Sequence, residues 1–98
     1  MAYSIVWTEL ATEKFNEVII YLEENWNQKI VQEFIFTVDD FLDLVVVFPM
    51  MGVEEKKTKN IRSFVISKFH TIFYKLDSFE IIILDVFDNR SNPENKPT

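Results

Sequence analysis

The chain has 98 residues, 48% of them hydrophobic, with ten phenylalanines, one glycine, one histidine and no cysteine. That length suits one domain with one core, and the missing cysteine excludes disulfides and thiolate metal sites. The net charge is −6, and the first half carries it: residues 1–48 hold nine acids against Lys14 and Lys29, whereas residues 49–98 hold eight bases against seven acids. The acidic half repels nucleic acid and favours a basic protein partner.

In chain order, Tyr3-Ser-Ile-Val-Trp7 is short, β-branched and aromatic, and predicts a strand. Thr8 reads as a helix N-cap with Glu9 in the first turn, where the helix dipole favours a carboxylate. Ala11, Phe15, Val18, Ile19 and Leu22 then recur at helical spacing and predict a helix from Glu9 to about Glu24. Asn25-Trp26-Asn27 breaks it, and Asn27 caps a second helix. Its apolar stripe runs Ile30, Val31, Phe34, Ile35, Val38, Phe41, Leu42, Val45, and it ends at Phe48 because Pro49 disfavours the helical conformation there. The short connection makes the pair an antiparallel hairpin.

Residues 49–60 hold the glycine and a charged run and predict a loop. Three strands follow, Ile61–Ser67, Phe69–Leu76 and Glu80–Phe87, as a meander with turns near Lys68 and at Asp77-Ser78. The order β-α-α-β-β-β predicts an α+β fold, a helical hairpin packed on one face of a twisted antiparallel sheet. Residues 1–92 form the single domain, and 93–98, with two prolines and no apolar side chain, read as a flexible tail. No segment reaches the ~20 apolar residues needed to cross a bilayer and no secretory signal opens the chain, so the expected location is cytoplasmic, with no membrane partner.

One glycine leaves no phosphate-cradling loop, and one histidine without cysteine leaves no expected zinc site; no metal or cofactor is expected. The helix carboxylates read as a solvated face. The remaining chemistry lies in the second half, in Lys56, Lys57, Lys59, Arg62, Lys68, His70, Tyr74, Lys75 and Arg90. Metal-independent RNA cleavage requires a base, an acid and fixed cations around the phosphate. Arg62, His70 and Arg90 are the candidate catalytic set, with Tyr74 a possible acid.

Strict alternation places Ile82, Leu84 and Val86 toward the helices, with Ile81, Ile83, Asp85 and Phe87 behind. His70 then points inward at a sheet margin, with Ile72 and Tyr74. The far face would expose Thr71, Phe73, Lys75, Ile83 and Phe87, an apolar cluster of the kind that binds partners. Arg90 stands at the exit of the most apolar strand. It either meets an anionic group on a partner or pairs locally with Asp85 or Asp88; the first reading is adopted.

Trp7-Thr8, Tyr21-Leu22, Trp26, Phe34, Pro49 with Gly52, Asn60-Ile61-Arg62, His70-Thr71-Ile72-Phe73-Tyr74 and Asp88-Asn89-Arg90-Ser91-Asn92-Pro93 occur in an order that spans nearly the whole chain. In this the chain resembles the RelE/ParE superfamily of toxins from bacterial type II toxin–antitoxin systems, also known as plasmid-stabilisation proteins. The resemblance implies a growth-arresting toxin neutralised by a cognate antitoxin. Its target would be either DNA gyrase or ribosome-bound mRNA; as an enzyme, it would be a metal-independent, ribosome-dependent mRNA endoribonuclease. In the nuclease members the arginine matched by Arg90 contacts the scissile phosphate, and Arg62 matches a position that is often basic. Thr71, however, replaces their middle-strand arginine, and their strongly basic surface is missing, so gyrase inhibition is preferred. The alternative is an inactive, non-toxic relative that acts only as a binding module; a homo-oligomer through the apolar sheet face is a further possible partner.

Overall fold

The computed structural model describes residues 3–56 and 59–90; the expected tail at 93–98 and Lys57 lie outside the described residues. Strand β1 (Ser4–Trp7) leads into helices α1 (Glu9–Asn25) and α2 (Gln28–Val45). Strands β2 (Val53–Lys56), β3 (Ile61–Val65), β4 (His70–Asp77) and β5 (Glu80–Asp88) follow. The helical hairpin covers one face of a single five-stranded sheet of order β1-β5-β4-β3-β2. The chain thus begins at one edge, crosses over through the helices to the other, and returns by a meander.

Both helices start where the caps predict. Thr8 Oγ1 accepts the Ala11 N–H at 3.1 Å and donates to the Ile83 carbonyl at 2.9 Å, so one hydroxyl caps α1 and ties it to β5. Asn27 Oδ1 accepts the Ile30 N–H at 3.1 Å. Each cap stabilises its helix by about 1 kcal/mol. Val31, Phe34, Val38, Phe41 and Val45 form the buried stripe of α2. Phe41 packs edge-on to Tyr74 with ring centroids 5.7 Å apart, which joins α2 to the middle of the sheet. α2 ends at Val45, and the chain reaches Phe48 through a tightened turn in which the Val47 and Phe48 N–H groups both donate to the Leu44 carbonyl.

Three expectations are corrected. The sheet is not wholly antiparallel, because β1 runs parallel to β5, Ser4 opposite Glu80 and Trp7 opposite Ile83. The loop expected at 49–60 contains the edge strand β2, in a bulged antiparallel pairing with β3. Its sequence, Val-Glu-Glu-Lys, shows little strand propensity because all four side chains are exposed; charge and a bulge protect an edge from further pairing. The third correction concerns which side chains of β5 meet the helices. Phe73 pairs with Asp85 but Tyr74 pairs with Ile83, so Leu84 is an extra residue in β5 and a bulge shifts the alternation. Ile81 and Ile83 therefore pack under the helices together with Val86, Ile72 and Tyr74, whereas Leu84 lies on the far face with Ile61, Phe73 and Phe87.

Candidate functional site

The bulge decides what each face of the sheet can do. Ile83, expected on an exposed binding surface, is fully buried beneath the helices. Phe73 and Phe87 are on the far face as expected but are 1% and 2% exposed, packed edge to face at 5.8 Å. Thr71 is buried and donates to Asn89 Oδ1 at 2.6 Å; Lys75 is half-buried. Next to them Ser63 Oγ donates to Glu55 Oε2 at 2.6 Å. These residues leave only a shallow depression of ≈ 230 Å³ whose polar groups are paired with one another. The apolar far face is thus a second small core rather than the open patch that the pattern suggested.

The larger cavity, ≈ 570 Å³, opens between α1 and the C-terminal end of β5. Val18, Tyr21 and Leu22 of α1 form one wall, Trp26 and Ile30 of the hairpin close one end, and Phe69, His70 and Val86 form the floor. Tyr21, Trp26 and Phe69 are all exposed, an unusual concentration of aromatic surface. Lys14, Glu17, Asp88 and Arg90 supply the charged rim.

Arg90 is committed locally. Its Nε and Nη2 donate to the two Asp88 oxygens at 3.0 and 2.9 Å, its own N–H donates to Asp88 Oδ1 at 2.8 Å, and its guanidinium lies 4.8 Å from the Phe69 ring centroid. The hydrogen bond from Arg90 holds the Asp88 carboxyl below its ordinary pKa, and the same bond raises that of Arg90. Of the two readings of Arg90, local pairing with Asp88 is the one that the geometry contains.

His70 is half-buried at the cavity floor, its ring against Phe34 at 5.3 Å and its Nδ1 3.3 Å from Ser67 Oγ. Burial lowers its pKa; Asp88 opposes that shift and Arg90 adds to it. A histidine whose pKa lies below 6.5 is neutral at physiological pH. Its position at an inward-facing sheet margin agrees with the alternation of β4.

Arg62 does not join them. In register it faces Tyr74, four residues along β4 from His70 and roughly 13 Å away at strand spacing. Its Nη1 donates to the carbonyls of Met50 at 3.1 Å and Gly52 at 2.8 Å, and Nη2 meets Glu54 Oε2 at 3.5 Å. Tyr74, the possible acid, is buried: its hydroxyl donates to the Pro49 carbonyl at 2.7 Å and accepts the Gly52 N–H at 3.0 Å. Burial raises its pKa. The structure brings His70 and Arg90 to one cavity and places Arg62 and Tyr74 in the support of a loop. Tyr21, Trp26 and Phe69 were not among the expected site residues; the available signal was aromatic side chains at helix-surface, interhelix and turn positions.

Among the described residues, no cluster of three or more His, Asp or Glu could hold a metal ion, and no helix is long and apolar enough to cross a membrane.

Residues 5–93 match the sequence profile described as the ParE toxin of type II toxin–antitoxin system, parDE. No protein of curated function matches the chain. Among solved structures, the chromosomal ParDE toxin–antitoxin system of P. aeruginosa is similar at a TM-score of 0.71 and 11% identity, over 88% of this chain and 95% of that one. The toxin–antitoxin complex RelBE2 of Mycobacterium tuberculosis gives 0.62 and 14%, over 91% and 100%. The YoeB/ParE toxin of Agrobacterium tumefaciens gives 0.63 and 10%, over 88% and 98%. At these identities the structural likeness speaks for the fold.

Proposed function

The chain belongs to the ParE toxin family of type II toxin–antitoxin systems, and on that premise we propose that it arrests growth by binding a protein target, DNA gyrase, without cutting RNA. A cognate antitoxin relieves the arrest, and the cavity between α1 and β5 receives an apolar segment of it.

The observation that carries this reading is that Arg62, Tyr74 and Arg90 are engaged within the protein and do not converge with His70 on one site. Cleavage needs a free base, a free acid and cations converging on one phosphate. Arg62 is bound to two backbone carbonyls and the Tyr74 hydroxyl to Pro49 and Gly52. Arg90 is paired with Asp88 through Nε and Nη2, and the Asp88 carboxylate beside it disfavours a phosphate. His70 opens to the helix side, into a cavity walled by aromatic and aliphatic side chains. On the far face the hydroxyls of Ser63 and Thr71 are occupied, and the core there is phenylalanine. A net charge of −6 gives ribosomal RNA no electrostatic reason to associate.

The cavity supports the antitoxin assignment by its chemistry. Its exposed aromatic side chains are the residue types that dominate protein–protein contacts, and its charged groups are few beside its apolar lining.

The test is to induce the gene alone in a host without its neighbouring reading frame, and to examine DNA and transcripts as growth stops. Relaxed or broken DNA with intact transcripts, relieved by the neighbour, is the expected result. Transcripts cut at ribosomes with intact DNA would refute the reading. Undisturbed growth with soluble, folded protein would identify an inactive binding module instead.

A further inference from the structure

A second apolar surface lies away from the cavity, where α2 passes into β2. Phe36, Asp40, Leu44 and Phe48 succeed one another at four-residue spacing along the solvent side of α2 and the turn after it, a stripe roughly 18 Å long. Val47, Phe48, Met50 and Val53 are 64%, 60%, 67% and 68% exposed, four large apolar side chains within seven residues. Scattered exposed apolar residues need no explanation, but a contiguous set does.

The connection that presents them is held at both ends. Tyr74 binds Pro49 and Gly52 through its hydroxyl, Arg62 binds the Met50 and Gly52 carbonyls, and the Met51 N–H donates to the Phe48 carbonyl at 3.0 Å. A buried phenol and a guanidinium thus fix the backbone while its apolar side chains face water. A surface ordered before binding loses little conformational entropy when it binds.

Its charge defines what fits it. Asp40 lies within the stripe and Asp39 and Asp43 flank it on α2, and none of the three makes an ion pair among the described residues. The guanidinium beneath the corner, Arg62, is engaged with carbonyls. A second copy of the chain in a twofold contact would set these carboxylates against their own counterparts, and RNA would be repelled by them. A protein segment with apolar side chains between lysines and arginines is complementary.

We propose that this corner, Leu44 to Val53 with the carboxylates Asp40 and Asp43, docks a basic, apolar-faced segment of the toxin's protein target. The assignment to the target rather than the antitoxin rests on the functional reading above. The cavity given to the antitoxin flanks β5, and β2 is the opposite edge strand, three strand spacings or about 14 Å away across the sheet. The two surfaces are addressed by different partners.

Two variants of the full chain test this: the charge reversal Asp40→Lys with Asp43→Lys, and the truncation Phe48→Ala with Met50→Ala. All four positions are exposed, so neither change opens the core. Growth arrest is measured against inducer dose without the neighbouring reading frame, and affinity for that frame's purified product is measured in parallel. Both variants are expected to need at least about tenfold more inducer for half-maximal arrest, the loss of ~1.4 kcal/mol at the interface. Their affinity for the antitoxin should stay within about threefold of the parent, as for independent sites. Unchanged arrest in both variants would overturn the proposal. Loss of antitoxin affinity along with arrest, in variants that keep the parent circular dichroism, would give the surface to the antitoxin and overturn it equally. A parent chain that does not arrest growth would defeat the functional reading itself, which is a different outcome.

Discussion

Gly52 donates its N–H to the hydroxyl of Tyr74 at 3.0 Å, and that hydroxyl in turn donates to Pro49, so one phenol of β4 holds both ends of the turn that follows α2. The contact needs glycine for lack of space. A Cβ there would come within 2.7 Å of both the Ser63 carbonyl oxygen and the Tyr74 hydroxyl. Gly52→Ala is therefore expected to cost about 1–3 kcal/mol through forced displacement, lowering the thermal midpoint by roughly 5–15 °C at this chain length. A midpoint unchanged in calorimetry would mean that the turn is not held as described.

Tyr74→Phe probes the same unit from the other side. It keeps the ring against Phe41 and removes only the hydroxyl. The Gly52 N–H and one carbonyl acceptor then lose their partner in a buried place, with an expected loss of about 1–3 kcal/mol. Because the two changes break one contact, the double variant should be less destabilised than the two losses added together. Strict additivity in denaturant titrations would separate the two roles.

For Arg90 the expectation runs the other way. Its guanidinium is exposed and its partner Asp88 is its near neighbour in sequence, so the pair does not tie distant elements together. Arg90→Ala should leave the thermal midpoint unchanged. What it removes is one of the two cations of the cavity rim and the cover over Phe69. Titration with the purified antitoxin is therefore expected to report weaker binding than for the parent chain, and equal binding would take Arg90 out of the interface.

Much of this architecture is legible in the sequence because local signals agree with the global fold. Thr8 and Asn27 mark both helix starts, and the stripe from Val31 to Val45 fixes the buried side of α2. Two features escape for physical reasons. β2 is an edge strand whose exposed charges serve against further pairing, so its composition resembles a loop. Leu84 is an inserted residue between two regular stretches of β5; nothing in Ile-Ile-Ile-Leu-Asp-Val-Phe distinguishes a bulge from unbroken alternation. That one residue moves Ile83 under the helices. The position of Arg90 was legible and its commitment was not: the sequence reading favours an external anion, and only the placed side chain reveals the pairing with Asp88.

His70 gives a pH dependence of definite sign. Burial lowers its folded-state pKa below 6.5, so the unfolded chain binds more protons in the window beneath that value. Stability should rise with pH through that window and level off above 6.5. The groups around the imidazole are Ser67, Phe34 from α2, Asp88 at the end of β5 and Arg90 just after it, with Lys14 and Glu17 across the cavity. His70→Gln is expected to flatten the difference between unfolding free energies at pH 5.5 and 7.5. An unaltered slope would assign it to other groups.

Asp85 gives the opposite slope. It is 3% exposed, and its Oδ1 has no hydrogen-bond partner; Lys14 Nζ stands 3.8 Å away, near enough for attraction but not bonding. Burial raises its pKa above 3.8; Lys14 and the Val86 N–H offset part of this, and Glu17 adds to it. With the folded pKa above the unfolded one, the folded state binds more protons. The contribution of Asp85 to stability is then fully present below pH 3.8 and is lost as pH rises through the folded value. At neutral pH the chain buries a charge compensated by one distant ammonium. Asp85→Asn removes that charge and leaves Lys14, one-third exposed, free to meet water. Because burial disfavours the Asp85 carboxylate and Lys14 keeps access to water, the variant should be more stable than the parent at pH 7. The gap should close as pH falls below 4. Destabilisation at pH 7 would show instead that Lys14 and Asp85 form a pair whose attraction exceeds its desolvation.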